Sequence, residues 1–243
     1  WNPWQGCRKE SAGCLNCYMY REKTERWKQD PAIVIRSKDR TFNRPLHWHE
    51  PARVFVCSWS DFFIEDADEW RDEAWEVMRQ CPHLTFQILT KRPQNIKARL
   101  PEDWLQFNNV WLGVTAENQA MADQRIPLLL SIPCDRRFLS IEPMLSPIDL
   151  YDYLGANRLW RMNQIEYAEI AHNYANCDCP RIHWIIVGGE SGTEARPMDQ
   201  DWAESIRVQC TAHHIPFFMK QMSGSTKKER EDIPAILRLR QFP

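Results

Sequence analysis

The chain lacks any apolar run approaching the roughly 18 residues of a membrane-spanning helix. It also lacks a recognisable secretory leader and any large net charge, with 31 Lys and Arg against 33 Asp and Glu. The first two absences predict a soluble protein with no membrane partner. The third removes any argument for nucleic-acid binding from global charge. Residues 21–44 carry eight basic side chains against four acidic ones, which suits an anionic partner or simply a solvated face. Regular cysteine pairing is missing too. Nine cysteines, an odd number, predict thiols of a reducing cytoplasm and not a disulfide framework.

The most telling absence is a fourth cysteine near Cys7, Cys14 and Cys17. Three thiolates in eleven residues form a soft donor set suited to zinc, Cu(I) or an iron–sulfur cluster. A structural zinc site is normally closed by four protein ligands, and an ordinary cluster takes four cysteines. The triplet therefore leaves one position for a ligand that is not protein. Two other readings stay open: a zinc site completed by His47 or His49, and unligated thiols.

At 243 residues with 43% hydrophobic content, the chain has the size of one large α/β domain. Strand-length apolar runs occur at 54–57, 86–89, 110–114, 138–141, 182–187 and 217–219, with helix-like stretches at 67–80, 117–130 and 199–213. In the first helix Trp70, Ala74, Val77 and Met78 share a face. The alternation, with one further strand just before Cys7, predicts a partial or near-complete (β/α) barrel of about six to seven parallel strands. A single domain over 1–243 is expected, with a helical insertion at 151–180 over the cavity.

Each predicted strand runs into polar residues: Ser58-Trp-Ser-Asp61, Thr90-Lys-Arg-Pro93, Thr115-Ala-Glu-Asn118, Ser140-Ile-Glu-Pro143, Gly188-Gly-Glu-Ser-Gly192 and Lys220-Gln221. The C-terminal strand ends of a parallel barrel form its active face, so these groups are candidates for one cavity beside the cysteine loop. Helix caps and turns are the ordinary alternative for any one of them.

A three-cysteine loop after the first strand of such a barrel resembles the radical S-adenosylmethionine (SAM) superfamily, with a longer first gap than its usual Cys-x3-Cys-x2-Cys. More closely, the chain is similar to a phage- and prokaryote-encoded radical-SAM-like family. Its members open with Trp-Asn-Pro-Trp-x-Gly-Cys and carry Ser-Asp-Phe-Phe, Thr-Lys-Arg, Thr-x-Glu-Asn, Glu-Pro and Gly-Gly-Glu-Ser-Gly in this order. The resemblance implies a [4Fe–4S] cluster on Cys7, Cys14 and Cys17, with SAM on the fourth iron. It also implies reductive cleavage to a 5′-deoxyadenosyl radical that takes hydrogen from substrate. Ser58, Ser60 and Asp61 then stand where the superfamily meets the methionine ammonium. Glu117 and Asn118 are candidates for the ribose, Thr115 for cofactor binding beside them, and Lys91 or Arg92 for the SAM carboxylate. The phage association suggests a DNA or nucleotide substrate, for instance an isomerase or modification enzyme of hypermodified thymine. An external flavodoxin- or ferredoxin-like electron donor, and a partner protein, are further expectations. A cluster- or zinc-containing nucleic-acid-binding module without turnover is the competing class.

Gly188 and Gly189 permit close approach to a ligand, and Glu190, Glu142 and Lys220 are candidates for the cavity. A tight turn with a solvated Glu190 is the plain alternative. Cys57 is a candidate hydrogen-atom donor or a small core residue. Trp1, Trp4 and Trp59 are candidates to shield the site or stack on a base. Cys177 and Cys179 read as a chance pair or a second metal site.

Overall fold

The computed structural model describes residues 1–154 and 181–243. The described strands are β1 (Trp4–Gln5), β2 (Ile35–Arg36), β3 (Ala52–Val56), β4 (Leu84–Thr90), β5 (Val110–Thr115), β6 (Arg136–Ile141), β7 (Trp184–Gly188) and β8 (Phe217–Gln221). Strands β3 to β8 form one six-stranded sheet in strict sequence order. Parallel registers run Val54↔Phe86 and Val56↔Ile88 between β3 and β4, Phe138↔Trp184 between β6 and β7, and Ile186↔Phe218 between β7 and β8. Parallel strands in sequential order with intervening helices are the topology of a partial (β/α) barrel, as expected.

The local reasons are legible. All six residues of β5, Val-Trp-Leu-Gly-Val-Thr, are buried, as suits a parallel strand covered on both faces. Helix Asp68–Arg79 buries Arg71, Ala74, Trp75 and Met78, spaced i, i+3, i+4, i+7. The expected face included Trp70, which is only half-buried. Trp75, one position past Ala74 on the same stripe, is 1% exposed and fills the core. Helix Gln119–Leu130 is capped by Asn118, and helix Gln200–Ala212 by the Asp199 carboxylate.

The extra strand before Cys7 differs from expectation. β1 pairs antiparallel with β2 in a separate two-stranded ribbon, Trp4↔Arg36 and Gln5↔Ile35. Within the described run before Cys7, Trp1 makes parallel-type contacts with β3. Its nitrogen donates to Phe55 O at 2.8 Å, and Cys57 N–H donates to Trp1 O at 2.9 Å. Pro3 cannot donate to a ladder, so continued pairing with β3 is unavailable to the run.

The chain divides into two compact units, one of Trp1–Gly113 with Cys134–Arg136, the other of Val114–Pro133 with Arg137–Pro243. The first has an aromatic core in which Phe62, Trp104 and Phe107 surround the ring of Trp75, with centroids 4.8 to 5.7 Å away. In the second, the outer edge of β8 is covered by the terminal segment: Met219 N–H donates to Leu239 O and Gln241 N–H to Phe217 O. Tyr151–Leu154 is a helical turn. The rest of the expected insertion, with Cys177 and Cys179, lies outside the described residues. Among the described residues no helix is long and apolar enough to cross a membrane.

Candidate functional site

In the first unit the cysteine loop folds against the C-terminal ends of β3 and β4. Gly6, at φ +100°, gives its N–H to Trp59 O at 2.9 Å, and Ser60 Oγ donates to Gly6 O at 2.5 Å. A Cβ at Gly6 would lie 2.1 Å from the Ile33 carbonyl oxygen, so only glycine lets the loop pass that segment. Cys7 N–H donates to Pro31 O at 2.9 Å. Cys14 closes a 3-10 turn, and Cys17 precedes the short helix Tyr18–Arg21, its carbonyl accepting from Tyr20 and Arg21 N–H. One helical turn returns Tyr20 to the loop, where its hydroxyl donates to the Cys7 carbonyl.

Cys7, Cys14 and Cys17 are free and partly exposed. Burial, and next the charge of Asp61, push the Cys7 thiol up to about 12, with Cys14 and Cys17 adding and Arg92 opposing. Burial and then the same three cysteines push the Tyr20 hydroxyl to about 12, so Tyr20 and the thiols share one neighbourhood. Among the described residues no three His, Cys, Asp or Glu side chains gather as ligands of one metal ion would, and His47 and His49 are exposed. Three free thiols on one loop are a soft donor set of the kind that an iron–sulfur cluster or zinc takes.

Asp61 is the hub of this face. Its Oδ1 accepts from Phe63 N–H at 2.9 Å and Thr90 Oγ1 at 2.7 Å. Its Oδ2 accepts from Lys91 N–H at 2.9 Å and Arg92 Nη1 at 3.3 Å. Four donors fill the carboxylate, so Asp61 is a tie between β3 and β4 and not an open acceptor for an ammonium. Ser58 Oγ is held by Asn2, whose Oδ1 also accepts from Trp59 N–H. Ser60 holds Gly6, so both hydroxyls serve the loop. Arg92, 4% exposed, reaches Cys7 Sγ at 3.8 Å, Arg8 O at 2.8 Å and Glu10 at 3.2 Å. Lys91 enters through its backbone.

Cys57 follows β3 at φ +60°, a conformation that L side chains adopt at a cost, and is 4% exposed. Burial, followed by Asp61, holds its thiol well above the usual range. Trp59 stacks on Trp27 with centroids 4.7 Å apart, and Tyr18 meets Trp59 edge-on at 5.9 Å. Tyr18 and Trp27 are exposed. Trp4 is fully buried, its Nε1 donating to Asp61 O, and Trp1 packs on Phe42 and Phe86. Of the three tryptophans singled out, Trp59 alone joins an exposed aromatic group.

The remaining candidates lie in the second unit. Glu117 is 0% exposed and pairs with Arg125 at 2.8 Å, while Arg125 also donates to the carbonyl of buried Thr115. Asn118 spends its side-chain oxygen on Met121 N–H as helix cap. Glu190 grips Arg196 with both oxygens, at 2.5 and 2.9 Å, and its side chain is 5% exposed, so it is not solvated. Glu142 and Lys220 do meet, at 2.9 Å, across Gly188. A Cβ at Gly188 would stand 3.0 Å from the Glu142 carboxyl carbon. At Gly189 it would lie 2.1 Å from Ser223 N, so both glycines let neighbouring protein segments approach closely. Tyr20, Glu10, Arg125 and Arg196 were not foreseen. The one sequence signal was the spacing of Tyr20 three residues past Cys17.

No curated protein matches this chain. Among solved structures, the chain is similar to a spore photoproduct lyase double mutant with bound AdoMet and dinucleoside spore photoproduct. The TM-score is 0.44 and the identity 9%, over 88% of this chain and 61% of that one. The chain thus spans less than two thirds of that protein. Residues 1–237 match the model of the family described as Protein of unknown function (DUF5131), and the chain belongs to that family.

Proposed function

We propose that this chain is a radical SAM enzyme in which Cys7, Cys14 and Cys17 hold a [4Fe–4S] cluster and leave one iron to the amino and carboxylate groups of SAM. The observation that carries this reading is the set of three free thiols on one loop tied to the C-terminal ends of parallel strands. When bound, the cluster and SAM would supply reductive cleavage of SAM as a source of hydrogen-abstracting radical. The chain's own residues do the rest. Asn2, Ser60 and Tyr20 hold the loop, Gly6 gives it passage, and Arg92 places a fixed positive charge beside Cys7. Buried Cys57 is the proposed hydrogen-atom donor. The single electron comes from a flavodoxin- or ferredoxin-like donor in the cytoplasm.

The substrate class we propose is DNA or a nucleotide, with modification or isomerisation of a thymine as the reaction. The exposed group Tyr18, Trp59 and Trp27 supports it, because an aromatic stack beside Cys17 is a surface on which a base can lie. Anaerobic reconstitution tests the whole reading. The protein should take up iron and sulfide, show the broad visible absorption of a cluster, and release 5′-deoxyadenosine from SAM under dithionite. Cys14→Ala should lose all three. Stoichiometric zinc with no SAM cleavage would refute the enzyme and favour a nucleic-acid-binding module. Product yields with DNA and with free nucleotides separate the two substrates.

A further inference from the structure

We propose that Arg92 is a positioning residue that sets the reduction potential of the cluster, with Glu10 as its counterweight; this rests on the reading that Cys7 ligates iron. Arg92 leaves β4 almost fully buried, and its two terminal nitrogens divide four tasks. Nη1 faces Cys7 Sγ at 3.8 Å and Asp61 Oδ2 at 3.3 Å. Nη2 donates to Arg8 O at 2.8 Å and pairs with Glu10 Oε2 at 3.2 Å. A guanidinium keeps its charge at any working pH, so the group beside the sulfur is a permanent cation and donor. Hydrogen bonds to ligand sulfur, and the net charge around it, are the protein's levers on a cluster's potential. Reduction adds one negative charge, which the cation stabilises, so Arg92 raises the potential.

Two carboxylates oppose it. Asp61 is fixed by three other donors. Glu10 stands at the rim with its side chain 30% exposed, so its removal leaves the core intact. The pair therefore predicts opposite shifts from two substitutions on one guanidinium, which a purely structural role for Arg92 does not.

The test is an EPR-monitored redox titration of the reconstituted full chain. In Arg92→Gln the ratio of reduced to oxidised cluster, read at the wild-type midpoint, should fall about tenfold, which is 59 mV for one electron. Glu10→Gln should move the midpoint upward. Arg92→Lys, which keeps the charge but not the fork, should lie between wild type and Arg92→Gln. Equal midpoints in all four proteins overturn the inference, even where Arg92→Gln binds less iron. If Arg92→Gln fails to fold, the upward shift in Glu10→Gln decides, and its absence overturns the inference. A wild-type chain that takes up no iron overturns the cluster reading as well.

Discussion

Asp61→Asn separates a structural tie from a cofactor ligand. The substitution keeps Oδ1, which still accepts from Phe63 N–H and Thr90 Oγ1. It turns an NH2 group toward the Lys91 N–H at 2.9 Å and Arg92 Nη1 at 3.3 Å, setting donors against donors. The side chain is 6% exposed, so solvent screening gives little relief. Breaking one side of a buried ion pair costs about 3–5 kcal/mol, and Arg92 keeps Glu10 and Arg8 O, which places this case near the lower end, about 3 kcal/mol. For a chain of this size that lowers Tm by about 6–12 °C. Thr90→Val, which removes one donor to the same carboxylate, should cost about 1.5 kcal/mol. Urea and thermal unfolding of the metal-free protein measure both. The reasoning fails if Asp61→Asn unfolds within about 1 kcal/mol of wild type while SAM affinity drops. Asp61 would then face the cofactor.

Three further outcomes follow from the same contacts. Gly6→Ala puts a methyl 2.1 Å from the Ile33 carbonyl oxygen at φ +100°, so reconstituted iron content should fall by more than half, and wild-type iron loading would contradict the packing. Glu117→Gln breaks a fully buried pair and should cost about 3–5 kcal/mol in chemical denaturation; a near-neutral result would mean that Arg125 has another counter-charge. Burial alone would raise the Asp68 carboxyl, but its bonds to Arg99 and Arg71 bring it below the ordinary 3.8. A depressed carboxyl contributes stability above its unfolded value that is lost as pH falls through the folded one. The Tm should therefore drop below about pH 4, less so in Asp68→Asn, and identical profiles would refute this.

Strands and helices were legible because the apolar residues repeat locally. The runs at 110–114 and 138–141 need only neighbours in sequence to reveal burial on both faces. Residue 75 escaped because the helical stripe was phased on Trp70, and a one-residue error rotates a side chain by about 100°. The strand before Cys7 was expected, but its pairing with β2 escaped because the partner, two residues long, has no periodicity to read.

The cysteine triplet is the part of the candidate site that the sequence by itself determined, since donor type and spacing are local properties. It also settled the sequential alternation of strands and helices. Only the tertiary structure decided what the strand-end groups are committed to. Asp61 and Arg92, Glu117 and Arg125, and Glu190 and Arg196 each carry letters that suit a ligand, and each is engaged by protein. Hydrogen-bond capacity is finite and is consumed in three dimensions, so a polar residue after a strand announces a group that can bind, while the fold determines which partner occupies it.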